Sequence, residues 1–221
     1  LAGGDGNAIL GLLGLGTGIF IGVLFLKKGF TLGRAYPQAK ASGWIMPGLM
    51  LGLLFLLTFQ VSFAPGGPIF FSAKGPGSMH APVIISIIAG LAIGALAQRS
   101  RFCTMGALRD VMLTRDFHLI SGVLALLIFA FATNVILGQF KPGFEGQPIA
   151  HTNHLWNFLG MSLAGLAFAL AGGCPGRQLF LSGEGDDDAG IFVLGMIVGA
   201  GISHTFAMAS SPKGVAAFGP I

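Results

Sequence analysis

The sequence predicts an all-α membrane protein whose helices are interrupted by short, broken segments. Three observations predict this fold class: the composition, a series of apolar runs, and two similar polar interruptions. The 221 residues are 53% hydrophobic and only 9% charged, whereas a soluble domain carries about 25% charged residues. The mean hydropathy is +0.82, and the 37 glycines and 20 phenylalanines are typical of closely packed helices that face lipid.

Apolar runs recur along the chain at lengths that suit a bilayer, which a helix crosses in about 20 residues, with a range of roughly 17–25. They are residues 8–26, 44–63, 82–97, 117–137, 155–171 and 189–209. The third and fifth runs are short, and each stops at a polar interruption that holds one of the two cysteines. A helix that ends part-way through the membrane produces this pattern.

The first interruption, residues 98–110, surrounds Cys103 with Arg99, Arg101 and Arg109. A lone membrane cysteine is most simply a small buried hydrophobe, and arginines at a membrane face are also explained by topology. Charge inside a membrane is costly unless it lines a cavity, however. The combination of one thiol with several guanidinium groups therefore favours a path for a sulfur-containing anion.

The second interruption, residues 172–178, is too irregular for ordinary helix packing. Gly173 and the glycine before it permit a sharp turn, and Pro175 fits the first turn of a short helix, where its missing N–H costs nothing. Arg177 lies one helical turn after Cys174 and on the same face. Helix N-termini carry partial positive charge and free N–H groups, so we expect both interruptions to be short helices that begin near a cysteine and bind an anion.

Loop charges predict how the chain is oriented. The connection at 27–40 holds four basic residues and no acid, so the positive-inside rule places it in the cytoplasm. The connection at 64–81 is then expected outside, the segment at 98–116 inside, and the connection at 139–154 outside. The histidines of the outer connections, His80, His151 and His154, are expected to be solvated. Residues 186–188 are aspartates, which we expect to cap the last helix.

Two similar segments indicate an internal repeat. Residues 1–8 and 181–189 are both rich in glycine and aspartate, and an apolar run follows each. The second segment follows Cys174 closely, so we interpret the first as the end of another interruption that contains a cysteine. We expect a single transmembrane domain at 1–221 that is the C-terminal part of a longer chain. Residues 1–80 would hold the end of a first repeat and a connection, and residues 81–221 a second repeat.

The motifs at residues 99–110 and 172–179, with Gly183-Glu184-Gly185, resemble the paired signatures of the YeeE/YedE family. The similarity extends over essentially the whole chain and is greatest to the YedE branch, which is associated with selenium metabolism. The resemblance implies an inner-membrane transporter of sulfur compounds, of which thiosulfate is the best understood. It also implies an hourglass-like helical bundle of two repeats, with re-entrant short helices whose cysteines pass the anion along by S–H···S contacts. Cys103 and Cys174 match two such cysteines, whereas the cysteine motifs of the first repeat are absent from this chain.

We therefore expect a multi-pass transporter of the bacterial inner membrane that takes up a small sulfur- or selenium-containing oxyanion. The expected substrate-binding residues are Cys103, Cys174, Arg101, Arg109, Arg177 and Gly173. The expected partners are the anion, the lipid bilayer and a cytoplasmic sulfur-carrier protein. No metal or other cofactor is expected, because the cysteines form neither a Cys-x-x-Cys pair nor a Cys/His cluster. The net charge of +4, with few aromatic residues among the basic ones, argues against nucleic-acid binding.

Three alternatives remain open from the residues alone. A membrane sulfurtransferase would use Cys103 or Cys174 as a nucleophile that forms a persulfide. A structural or assembly subunit would need neither thiol. A channel for a different anion would need arginine but no cysteine.

Overall fold

The computed structural model describes residues 1–31, 41–61, 81–148 and 150–216, and these ranges are helical without any β-strand. The helices are α1 (Asn7–Lys27), α2 (Ile45–Thr58), α3 (Val83–Ser100), α4 (Thr104–Leu113), α5 (His118–Ile136), α6 (His154–Leu170), α7 (Pro175–Gly183) and α8 (Asp187–Thr205). Five stretches of the described chain are long and apolar enough to cross a membrane. The prediction of an all-α membrane protein is confirmed.

The second predicted span is shorter than the sequence suggested. Within the described residues, the apolar run at 44–63 forms the 14-residue α2, which directly follows a 3-10 turn at Ser42–Trp44. α2 is about 21 Å long, less than a hydrocarbon core of about 30 Å. Gln60 adopts a left-handed conformation with φ of 49°, and the Val61 N–H donates back to Leu56 O at 3.0 Å. This turn ends the helix although apolar residues continue. The connection predicted at 64–81 and the larger part of that at 27–40 lie outside the described residues.

Both cysteine interruptions break a helix, as predicted. α3 ends at Arg101, a left-handed residue with φ of 51°, and α4 begins at Thr104. α6 is followed by Gly172 with φ of 79°, and α7 begins at Pro175. Each break replaces one continuous helix by a long helix and a short one.

The chain divides into two compact units. The first consists of Leu1–Ala35, Phe102–Gln178 and Phe192–Ile221, and the second of Tyr36–Arg101 and Leu179–Ile191. The first unit thus holds α1, α4, α5, α6, the beginning of α7 and the larger part of α8, including both cysteines. The predicted boundary between repeats at residues 80 and 81 stays a prediction.

Glycines bring α1 and α6 into backbone contact within the first unit. A Cβ added at Gly14 or Gly18 of α1 would overlap backbone atoms of α6, and one added at Gly165 of α6 would overlap the backbone of α1. Small residues at helix crossings allow the backbones to approach this closely. Because lipid provides no hydrophobic driving force for helix association, dispersion contacts between the packed helices stabilise the crossing instead. Ile19 and Val23, on the same part of α1, are completely buried.

The aspartate cap predicted for α8 is confirmed, because Asp186 Oδ1 accepts the N–H of Ala189 at 2.8 Å. At the start of α1, Asp5 Oδ1 accepts the N–H of Asn7 at 2.9 Å, but the N-cap is Gly6 and carries no side-chain cap. A glycine with positive φ precedes each aspartate, at 96° before Asp5 and 94° before Asp186. The internal repeat stays a prediction.

Replacing Gly18 by leucine should separate α1 from α6, because the new side chain meets backbone that cannot move aside. We expect the free energy of unfolding in detergent to fall by about 2–3 kcal/mol, as measured by denaturant titration. Gly16→Leu is the matched control in the same helix, because nothing lies within 4 Å of a Cβ at Gly16. Equal losses in both variants would contradict the packing described here.

Candidate functional site

The structure brings Cys103 and Cys174 together in a buried cluster of the first unit. Their exposed fractions are 8% and 5%, both are free thiols, and their side chains lie in the same buried cluster. Ile19 and Val23 of α1 and Met105 of α4 complete the cluster. Each cysteine lies at the start of a short helix, as predicted from the sequence.

Each thiol caps the N-terminus of its own helix. Cys103 is the N-cap of α4, in an extended conformation with φ of −155°, and its Sγ accepts the N–H of Gly106 at 3.2 Å. Cys174 directly precedes α7, and its Sγ accepts the N–H of Arg177 at 3.4 Å. The side-chain acceptor at this position is usually the oxygen of Ser, Thr, Asp or Asn. Sulfur, a weaker acceptor, takes that place in both helices.

Each thiol also lies close to the start of the other short helix. Cys103 Sγ is near the N–H of Cys174, and Cys174 Sγ is near Thr104. We call this arrangement of Cys103, Thr104, Gly106, Cys174 and Arg177 the crossed cap. Because helix N-termini carry partial positive charge, the crossed cap places two positive helix ends and two polarizable sulfur atoms in one buried volume.

The turn that leads to Cys174 depends on Gly173. A Cβ at Gly173 would lie 2.8 Å from Gln178 Nε2, and Gln178 is itself only 8% exposed. Its amide donates to Ala171 O at 3.4 Å, while the Gly173 N–H donates to Phe168 O at 3.2 Å. Gly173 thus leaves room for the glutamine side chain that closes the turn, and its predicted contact with substrate stays a prediction.

The predicted arginines occupy three different environments. Arg109 forms an ion pair with Asp110, with an Nη2–Oδ1 distance of 2.8 Å and an Nε–Oδ1 hydrogen bond of 2.9 Å. Its charge is therefore partly compensated by the next residue. Arg177 contributes its backbone N–H to the crossed cap. Arg101 is exposed, closes α3 and belongs to the second unit. Anion binding by the three guanidinium groups stays a prediction.

Sequence reasoning missed three residues of this region. Thr104, Met105 and Gln178 were not among the expected site residues. Met105 is 1% exposed and packs with both thiols. The signal available in the sequence was the position of these residues in the short helices. Thr104 is the first residue of its helix, and Gln178 lies one turn after Cys174.

A separate cavity of ≈ 890 Å³ lies near the start of α1. Asp5, Asn7, Lys141 and His151 are among its lining residues, and neither cysteine lines it. The interpretation of His151 as a solvated loop residue is wrong. His151 is only 7% exposed, because its carbonyl accepts the Asn157 amide at 2.6 Å and so lies against α6. The expectation that both short helices bind an anion stays a prediction.

Comparison with known proteins identifies relatives of this chain. The family model described as sulphur transport matches residues 99–217. The thiosulfate transporter TsuA of Spirochaeta thermophila is 32% identical over 104 residues, covering 45% of this chain and 29% of that protein. The thiosulfate transporter TsuA of Escherichia coli is 28% identical over 108 residues, covering 48% of this chain and 30% of that protein. The matched part thus spans less than a third of either relative. No solved structure matches the chain significantly.

Gly173→Ala should distort the turn before Cys174, because the new methyl group would displace the Gln178 amide. We expect a loss of about 1 kcal/mol in the free energy of unfolding, from the weakened buried hydrogen bond. Gly176→Ala is the control: it lies in α7 with open space around it, and alanine should leave stability unchanged or raise it by about 0.5–1 kcal/mol. Unfolding in detergent measures both, and a Gly173→Ala variant as stable as Gly176→Ala would refute the proposed constraint.

Proposed function

The chain belongs to the YeeE/YedE family of sulphur transport proteins, and we propose that it takes up a small sulfur-containing oxyanion across the bacterial inner membrane. Thiosulfate is the substrate we assign, because both TsuA relatives are named for its transport. A selenium analogue would make the same contacts, since selenium is also soft and only slightly larger than sulfur. A cytoplasmic sulfur-carrier protein is the partner we propose for the cargo.

The crossed cap is the observation that carries this proposal. Thiosulfate has a terminal sulfur atom and three oxygen atoms that share two negative charges. The N-termini of α4 and α7 would favour the negative charge, while Cys103 and Cys174 would offer S–H donors and polarizable surfaces to the terminal sulfur. Because the two thiols lie next to each other, the terminal sulfur of thiosulfate could keep contact with a thiol while it moves from one cysteine to the other.

The weakness of these contacts suits transport. A thiol is a weak hydrogen-bond donor, and one helix end contributes about 0.3–1 kcal/mol, or up to about 2 kcal/mol where it is partly buried. Taking an anion out of water costs several kcal/mol per charge, so these groups would lower the barrier without trapping the ion. Passage requires binding that is strong enough for entry and weak enough for release.

Transport is favoured over the enzymatic alternative. The relatives are named as transporters, and passage by S–H···S contacts needs no covalent bond. A helix N-terminus is one of the environments that activate a cysteine, so the two alternatives are separated by mass spectrometry: a sulfurtransferase predicts a trapped sulfur addition on Cys103 or Cys174, and transport predicts none.

Cys174→Ser should slow thiosulfate uptake by roughly tenfold or more, equivalent to about 1.4 kcal/mol in the barrier. Serine keeps the capping acceptor and nearly the size, so the helix start is retained while the polarizable sulfur is lost. The assay is uptake of radiolabelled thiosulfate by cells that depend on this transporter, with membrane levels of each variant measured. Normal uptake by a well-expressed Cys174→Ser variant would exclude the thiol mechanism.

Arg177→Lys separates charge from sulfur in the same assay. Lysine keeps the positive charge but loses the planar, two-pronged donor geometry of arginine. We expect weaker anion binding, seen as a raised KM, with more remaining uptake than Cys174→Ser shows. Uptake that is lost with lysine but retained with serine at position 174 would support the alternative of an arginine-lined anion path.

A further inference from the structure

The cavity near the start of α1 is built differently from the thiol site. Its volume of ≈ 890 Å³ lies within the range of about 300–1,000 Å³ that is usual for small-ligand sites. Apolar side chains of three helices form its walls, among them Leu12 and Leu15 of α1, Leu127 and Ala130 of α5, and Met161 of α6. Because residues three or four apart share a helix face, each of these helices turns one face towards the same space.

The polar end of the cavity lies where the helices begin and end. Asp5 precedes α1, Lys141 follows α5 and His151 precedes α6, and all three line the cavity. From Ala8 to Leu15, the wall that α1 contributes is about 10 Å deep at 1.5 Å per residue. A polar end at the helix termini and apolar walls along spanning helices match a molecule that enters the hydrocarbon layer from the membrane surface.

Asp5 and Lys141 carry opposite charges at this end without pairing. Their segments run side by side, since the Lys141 N–H donates to Gly3 O at 2.9 Å and the Gly143 N–H donates to Gly4 O at 3.1 Å. Both residues belong to the described chain, and no ion pair joins them to each other. A zwitterionic head group would supply the missing charge to each side chain, an ammonium to Asp5 and a phosphate to Lys141.

Asn7 indicates which kind of ammonium group fits. Its Nδ2 donates to Phe144 O at 2.7 Å, whereas its Oδ1 is buried and has no hydrogen-bond partner within the described part of the chain. Asp5 is adjacent, because Asp5 Oδ1 accepts the Asn7 N–H at 2.9 Å. These oxygen atoms only accept hydrogen bonds. They therefore favour a primary ammonium, which has three N–H donors, over a quaternary ammonium, which has none.

His151 provides a donor that suits the phosphate. Its Nδ1 accepts the Asn153 N–H at 3.2 Å, so the proton of the neutral ring is on Nε2. The ring is held in place because the His151 carbonyl accepts the Asn157 amide at 2.6 Å. Together with Lys141, it gives the polar end two donors for phosphate oxygens.

We propose that this cavity binds a phospholipid whose head group carries a primary amine, as phosphatidylethanolamine does. Asp5 and Asn7 hold the ammonium, Lys141 and His151 hold the phosphate, and an acyl chain lies between α1, α5 and α6. The lipid fills space that the side chains of these helices leave open. The inference does not depend on the transported anion, because neither cysteine lines the cavity.

Native mass spectrometry of the purified full chain tests the proposal. The protein is incubated in detergent with equal amounts of phosphatidylethanolamine, phosphatidylcholine and phosphatidylglycerol that have identical acyl chains. We expect the one-to-one adduct with phosphatidylethanolamine to exceed that with phosphatidylcholine about fivefold, the usual effect of one hydrogen bond. Glycerophosphoethanolamine, which has the head group without acyl chains, should not compete at the same concentration.

Two substitutions separate the contacts to the head group. Asp5→Asn keeps an oxygen acceptor for the Asn7 N–H but removes the charge, and it should reduce the preference for phosphatidylethanolamine over phosphatidylcholine about fivefold. Lys141→Gln should reduce both adducts by a similar factor, because both lipids carry the phosphate. Glu145→Gln and Lys27→Gln are the matched controls, since these residues are exposed and do not line the cavity.

A third pair of variants tests the acyl-chain contact within α5. Ala130→Phe places a ring in the cavity and should remove most of the phosphatidylethanolamine adduct, whereas Ala132→Phe lies on an exposed position outside the cavity and should not. Circular dichroism checks that each variant is folded, and Lys141→Gln, at an exposed position, decides the matter if Asp5→Asn does not accumulate.

Three results would overturn the proposal. The first is equal adducts of phosphatidylethanolamine and phosphatidylcholine on the wild-type protein. The second is wild-type lipid binding by the folded Asp5→Asn and Lys141→Gln variants. The third is competition by the free head group, or an equal loss in Ala130→Phe and Ala132→Phe, because either would show that the acyl chain does not occupy this cavity.

Discussion

The capping of α4 and α7 by two neighbouring cysteine thiols is the interaction on which the rest of the candidate site depends. A helix that stops inside an apolar protein leaves backbone N–H groups that must find acceptors. Here Cys103 and Cys174 accept from Gly106 and Arg177 of their own helices, and both thiols lie in one buried cluster. These contacts satisfy the free N–H groups of the broken helices. They therefore also place two sulfur atoms and two positive helix ends close together.

The surroundings of the crossed cap are set by the packing of α1 on α6. Glycines at the crossing allow backbone contact, and this brings Ile19 and Val23 of α1 against the thiols. An apolar wall keeps the local dielectric low, which strengthens the weak electrostatic attraction between helix ends and an anion. Substitutions in α1, remote from the cysteines in sequence, can therefore alter the shape of this wall.

The helices and their breaks could be predicted from the sequence because they depend on local chemistry. Apolar run length predicted the long helices, Pro175 predicted the start of α7, and Asp186 predicted the cap of α8. The early end of α2 at Gln60 was not predictable, because nothing in the residue types there forbids another turn. The pairing of Cys103 with Cys174 across two segments depends on tertiary packing that local patterns do not encode.

The most direct test of the central claim, that the two thiols contact the transported sulfur atom, is protection of the cysteines from alkylation. The rate at which a small membrane-permeant maleimide labels Cys103 and Cys174 would be measured by mass spectrometry with thiosulfate, with sulfate at equal ionic strength, and with neither. The account predicts that thiosulfate slows labelling of both cysteines in a saturable manner and that sulfate, which lacks a terminal sulfur atom, does so much less. Labelling of both thiols at the same rate in all three conditions would contradict it.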